Sequence, residues 1–120
     1  MGIINENFML KSECAKKLYK AVENLPIIDY HCHLSPKMIA ENYKFKNPTD
    51  LFLGGDHYKW RQMRTAGIDE ELITGSGADY EKFEAFAKMM PDLLGNPIYH
   101  WTHLELKRYF DIDEPLSEKN

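Results

Sequence analysis

Cysteine is scarce in this chain: there are only two, Cys14 and Cys32. They cannot make the multi-bridge framework of a small secreted domain, so a reducing, cytoplasmic setting is the expectation. Long apolar runs are missing as well. None approaches the roughly 20 residues that a membrane span needs. The opening stretch, MGIINENFMLKSE, has neither the basic start nor the apolar run of a signal peptide. Glu6 stands where a myristoylation signal wants Ser or Thr. Positive charge is not in excess: 15 lysines and arginines against 19 acids give a net charge of -4. That balance offers no electrostatic footprint for nucleic acid or an anionic membrane. Repeats and low-complexity tracts are absent. What is present is ordinary globular composition, 43% hydrophobic and 28% charged, in a chain long enough for one domain with a real core.

The pattern along the chain is mostly helical. Ser12 is a good N-cap, Glu13 suits a first turn, and Cys14, Leu18 and Val22 recur on one face. Asn24 and Pro26 end that helix. The segment Ile27-Ile28-Asp29-Tyr30-His31-Cys32-His33 is short, rich in β-branched and aromatic residues, and bounded by prolines. It reads as a buried strand over about 27–33, the one strand the pattern supports. A short helix follows over 36–42, with Pro36 in its first turn. Asn47-Pro48-Thr49-Asp50 is a turn and cap before 51–53. Asp56 caps a helix through Ala66 that Gly67 closes. Asp69 opens a short piece, and Gly75-Ser76-Gly77 is a loop. Asp79 is expected to cap an amphipathic helix with Phe83, Phe86, Ala87 and Met90 on one face. Asn96-Pro97 opens the last helix, to about Arg108, and a polar, frayed tail follows from about 113.

One strand cannot make a sheet, because both of its edges would stay unpaired. The strand therefore has its partners in a longer chain, or it is not a strand. The expected organisation is an N-terminal helix and first strand over 1–35, then a mostly helical segment over 36–120.

Three groups of residues carry possible chemistry. On a strand, Asp29, His31 and His33 share one face, and Tyr30 and Cys32 the other. Two imidazoles on one face can reach one divalent ion, and a carboxylate such as Asp29 can orient a ligating imidazole from behind. The same residues are equally compatible with a satisfied polar network at a strand end. The apolar lead-in at 25–28 tilts the balance, since it sets the pair at the C-terminal end of a buried strand, where parallel α/β folds put their chemistry. The second group is Gly54-Gly55-Asp56-His57-Tyr58-Lys59-Trp60-Arg61. His57 is a candidate acid or base, Tyr58 can donate to a carbonyl oxygen, and Lys59 and Arg61 can hold a carboxylate. On the residues alone, a helix start with Asp56 as cap and Trp60 and Met63 as core is the stronger reading. In the third group, His100 and His103 share a helix face at i,i+3, without an HExxH pattern. A structural role is favoured there, with Trp101 and Leu104 as core. Cys14 and Cys32 read as buried thiols, not nucleophiles.

Taken in order, four stretches resemble the uronate isomerase (glucuronate isomerase) family. They are Leu25-Pro26-Ile27-Ile28-Asp29-Tyr30-His31-Cys32-His33-Leu34, Leu53-Gly54-Gly55-Asp56-His57-Tyr58-Lys59-Trp60-Arg61, Met63-Arg64-Thr65-Ala66-Gly67, and Asn96-Pro97-Ile98-Tyr99-His100-Trp101-Thr102-His103-Leu104-Glu105-Leu106. The resemblance runs nearly end to end. It implies an α/β fold, the (β/α)₈ TIM-like barrel of the amidohydrolase superfamily. Such a barrel takes about 250 residues, so this chain would hold its first strand and a helical insertion. The implied reaction turns D-glucuronate into D-fructuronate and D-galacturonate into D-tagaturonate through an enediol. By resemblance, His31 and His33 are ligands of a divalent metal ion, expected to be zinc. Tyr58 and His57 are catalytic and line the substrate pocket with Arg61, while Asp29 backs a ligand. The family's further carboxylate ligand and the arginine after it lie beyond residue 120. The implied partner is a hexuronate, with homo-oligomerisation left open. The competing reading is a small helical or zinc-binding module with structural histidines.

Overall fold

The computed structural model describes residues 4–120. Among the described residues six α-helices run in order: α1 (Glu13–Val22), α2 (Pro36–Ala40), α3 (Pro48–Leu53), α4 (His57–Thr65), α5 (Asp79–Met89) and α6 (Pro97–Phe110). Short 3₁₀ turns occupy Glu70–Leu72 and Met90–Leu93. No β-strand occurs among the described residues.

The expected strand over 27–33 is thus not formed. Ile27, Ile28 and Tyr30 are 91%, 87% and 97% exposed. The reason is physical: strand geometry is held by hydrogen bonds to a neighbouring strand, and the described residues supply no neighbour. The segment keeps strand-like composition without a sheet to join.

Local chemistry accounts for most helix starts. Ser12 Oγ accepts from the Ala15 N–H at 3.0 Å, and Ser35 Oγ from Lys37 N–H at 3.3 Å. Asn47 Oδ1 accepts from Asp50 N–H at 2.9 Å, and Asn96 Oδ1 from Ile98 N–H at 2.9 Å. These side chains satisfy N–H groups that a helix leaves without partners. Helix ends use left-handed residues: Asn42 lies at φ 51° after α2, and Gly67 at φ 78° after α4.

Asp79 departs from its expected role. The cap position of α5 is Ala78, and the Glu81 carboxylate reaches back to the Ala78 N–H at 3.3 Å. Asp79 instead braces α3. Its carboxylate accepts from Asn47 Nδ2 at 2.7 Å, and its carbonyl accepts from the Thr49 hydroxyl.

The chain divides into two compact units. The second, Cys32–Tyr99 with Leu116–Asn120, carries the larger apolar core. Phe52 and Leu53 of α3, Met63 of α4, and Phe86, Ala87 and Met89 of α5 are buried there, with Ile73, Met90 and Leu93. The rings of Phe52, Phe83 and Phe86 form a chain with centroids 5.9 and 6.0 Å apart. The tail is not simply frayed: Leu116 is buried and Glu118 pairs with Lys88 at 3.4 Å.

The first unit holds the chain up to His31 together with His100–Pro115. Phe8 meets the His100 ring edge-on at 5.2 Å. Ile4, His103, Ile112, Asp113 and Glu114 line a small cleft. Along α6 the burial differs from expectation, because Trp101 is 55% exposed while Thr102 and His103 are buried.

Two predictions arise here. Phe86 is fully buried at the centre of the second unit, so Phe86→Ala should destabilise the chain by about 3–5 kcal/mol in urea unfolding. Tyr80→Ala, at a side chain 76% exposed on the same helix, should change stability by no more than about 0.5 kcal/mol. Equal effects at both positions would mean the core is elsewhere.

The second concerns acid. Hydrogen bonds from Arg64 and then Thr74 bring the Glu70 carboxyl down from 4.5 to about 2. A carboxylate lowered on folding adds stability above its ordinary pKa and loses it as pH falls through the folded value. The stability gap between wild type and Glu70→Gln should therefore narrow from pH 6 to pH 2. It should also shrink in 1 M salt, since the pair is exposed. A gap that is the same at both pH values would rule this ion pair out as a source of acid sensitivity.

Candidate functional site

The first turn of α4 organises the site. Asp56 is its N-cap, and Oδ1 accepts from the Tyr58 N–H at 3.0 Å and the Lys59 N–H at 3.3 Å. That cap fixes where His57, Tyr58 and Lys59 start. Upstream, α3 is held close by the Trp60 indole, whose Nε1–H donates to the Leu53 carbonyl at 2.6 Å. Between them, Gly54 meets a close approach: a Cβ there would run into the Asp50 carbonyl oxygen. A Cβ on Gly55 would lie 3.8 Å from the His33 carbonyl oxygen, so this loop passes beside His33.

Three rings gather at this point. His33 stacks on His57 with centroids 4.9 Å apart and planes at 25°. Tyr58 lies 4.7 Å from each of them. The Arg61 guanidinium sits 4.6 Å over the Tyr58 ring, and its Nε donates to the His57 carbonyl at 3.4 Å. Such stacking of Arg on an aromatic face is favourable and holds the ring in place.

Beneath the rings lies a charged pair. Asp56 Oδ1 is 3.2 Å from His33 Nδ1, and Oδ2 is 3.3 Å from Lys59 Nζ. Lys59 is only 7% exposed, with its ammonium 5.0 Å over the Phe52 ring. Burial pushes the Asp56 carboxyl up, but the Lys59 charge and the bonds from His33 and the Lys59 N–H together outweigh it. The carboxyl is held below its usual range and is ionised at neutral pH. His33 and Asp56 are each 22% exposed, while His57 and Tyr58 are open to solvent. An approachable face of phenol and imidazole thus stands on a fixed carboxylate.

The whole chain, residues 1–120, matches the glucuronate isomerase family. The chain belongs to that family. Among its relatives, the uronate isomerase of Caldicellulosiruptor saccharolyticus is 63% identical over 118 residues, 98% of this chain and 25% of that one. The uronate isomerase of Clostridium perfringens is 59% identical over 117 residues, 97% of this chain and 25% of its own. The crystal structure of uronate isomerase from Thermotoga maritima matches with a TM-score of 0.86 at 43% identity. That match covers 97% of this chain and 26% of that structure. The chain thus spans about a quarter of the length of the curated relatives it matches.

Within this isomerase-family chain, His33, His57, Tyr58 and Arg61 come together in the second unit, as their grouping in the sequence suggested for all but His33. His31 belongs to the first unit, is exposed, and its N–H donates to Asp29 Oδ1 at 3.1 Å. The Asp29 carboxylate thus serves the backbone of His31. The carboxylate on the His33 imidazole is Asp56, 23 residues away. In the sequence pattern Asp56 is legible as a helix cap only. No spacing rule links positions 33 and 56; Lys59, at i,i+3 from Asp56, was legible as a carboxylate partner, but its burial was not.

The donor set fits a divalent metal in kind. Neutral imidazole is a common ligand, and an imidazole backed by a carboxylate is the usual supporting arrangement. It does not reach the full number in this chain: among the described residues, no group of three or more His, Cys, Asp or Glu is gathered to hold an ion.

Proposed function

We propose that this chain is the N-terminal part of an aldose–ketose isomerase that converts D-glucuronate to D-fructuronate and D-galacturonate to D-tagaturonate. The observation that carries this reading is the His33–His57–Tyr58 cluster, standing on Asp56 in a chain of this family. Isomerisation moves a proton from C2 to C1 and redistributes hydroxyl protons, with no net oxidation. The phenol of Tyr58 suits a proton shuttle between the two oxygens: it gives a proton to the C1 oxygen as the enediol forms and takes one back from the C2 hydroxyl as C1 is protonated and the C2 carbonyl forms. His57, tilted against the Tyr58 ring at 4.7 Å, is read as lining the same pocket. Arg61 offers a guanidinium for the sugar acid's carboxylate and keeps the phenol ring in place.

His31 and His33 are the residues of this chain that would hold a divalent ion, read as zinc, with Asp29 beside His31. Bound there, the ion would supply Lewis acidity and a template for the substrate. The remaining ligands and the base for C2 belong to the longer protein. We read that longer protein as a (β/α)₈ barrel. We read the protein as cytoplasmic and its oligomeric state as open. No helix among the described residues is long and apolar enough to cross a membrane. A small histidine module is not favoured, since the family match runs the length of the chain.

The full-length protein should form ketose from both hexuronates in a coupled assay, while the 120-residue chain alone gives negligible turnover. Hydrolysis of an ester or amide with no ketose formed would sink the reading. Within the full-length protein, His31→Ala and His33→Ala should each weaken metal binding at least about tenfold, since each removes one of few protein ligands. Tyr58→Phe should keep its metal and lose kcat by roughly 10²- to 10⁴-fold. Full metal retention in both histidine variants would return these residues to a structural role.

A further inference from the structure

We propose that Asp56 is the positioning residue of this site: its carboxylate accepts a hydrogen bond from the Nδ1–H of His33 and so leaves Nε2 as the nitrogen that ligates. This rests on the reading of His33 as a metal ligand. The geometry is specific. An ionised carboxylate only accepts hydrogen bonds, so a ring nitrogen 3.2 Å from Asp56 Oδ1 must carry the proton. With the proton on Nδ1, the lone pair of a neutral imidazole is on Nε2.

The carboxylate cannot easily turn away. Oδ1 is bound by two backbone N–H groups of α4 as well as by His33, and Oδ2 faces the Lys59 ammonium. Both of its ends are therefore held. The ring it orients is also flanked by His57 and Tyr58, which limits rotation about its own axis.

A helix cap alone does not account for these contacts. Capping is done as well by Ser or Asn, and it needs neither a negative charge nor a buried lysine. Lys59, 7% exposed, is costly to bury without an anion beside it. Its presence keeps the carboxylate charged, which is the state that makes the strongest acceptor for an imidazole N–H.

The test uses the full-length protein. Asp56→Ser keeps a capping oxygen but is too short to reach His33, and Asp56→Asn keeps a neutral acceptor. Because either leaves Lys59 without this carboxylate, both are also made on a Lys59→Met background and compared with Lys59→Met alone. The first readout is the ¹⁵N spectrum of the histidine side chains in metal-stripped protein. His33 should be the Nδ1–H tautomer with Asp56 and shift toward Nε2–H in Asp56→Ser. The second is Zn²⁺ affinity by competition with a chelator. It should weaken roughly 10- to 100-fold in Asp56→Ser and less in Asp56→Asn, with helical circular dichroism unchanged. If His33 keeps the Nδ1–H tautomer in Asp56→Ser, or if Zn²⁺ affinity stays within twofold, the proposal is overturned. The tautomer is read without metal, so it stands or falls separately from the loss of Zn²⁺ in His33→Ala.

Discussion

One carboxylate carries more of this structure than any other side chain. Asp56 starts α4, faces the ammonium of a buried lysine, and meets an imidazole from 23 residues upstream. These contacts act together because they converge on two oxygens. The cap fixes the first turn of α4, and the first turn is where His57 and Tyr58 sit. The contact with His33 brings the loop before α2 to that same turn. The gathering of the His33, His57 and Tyr58 rings is then a consequence of where Asp56 holds the backbone. Each stacking contact is small by itself, but the cap removes much of the freedom it would otherwise have to restrain.

A parallel arrangement holds the scaffold under the site. Asn47 caps α3 with its oxygen and reaches Asp79 with its nitrogen, while the Thr49 hydroxyl meets the Asp79 carbonyl. These bonds fix α3 against the start of α5, and Phe52, Phe83 and Phe86 fill the space between. Phe52 also lies under the Lys59 ammonium. The apolar core and the charged pair beneath the site therefore share a ring.

The apolar stretch over 25–30 is the feature least at ease in this chain. Leu25, Ile27, Ile28 and Tyr30 are exposed, as are Leu18 and Val22 on α1. Burying such side chains is favourable at about 25 cal/mol per Å², so leaving several of them exposed in one stretch is costly. A chain spanning a quarter of its relatives' length is where such surface is expected. It is also why the strand composition was readable and the strand itself is missing: β-propensity describes fit to a sheet, not a backbone preference that acts alone.

The sequence by itself determined the local features. Caps at Ser12, Asn47, Asp56 and Asn96, the glycine stop at Gly67, and the buried face of α5 all follow from interactions within a few residues along the chain. The motif from Gly54 to Arg61 was legible for the same reason, because its members are neighbours on one helix turn. Tertiary structure decided what depends on distant partners. It withheld the strand at 27–33, which needs a second strand. It moved Asp79 from a cap to a brace for α3, and it turned Trp101 outward while burying His103. It also joined His33 to Asp56 and put Lys59 below them. The contact of His33 with Asp56 requires the chain to return on itself, and no pattern of neighbouring residues encodes which carboxylate a returning imidazole will meet.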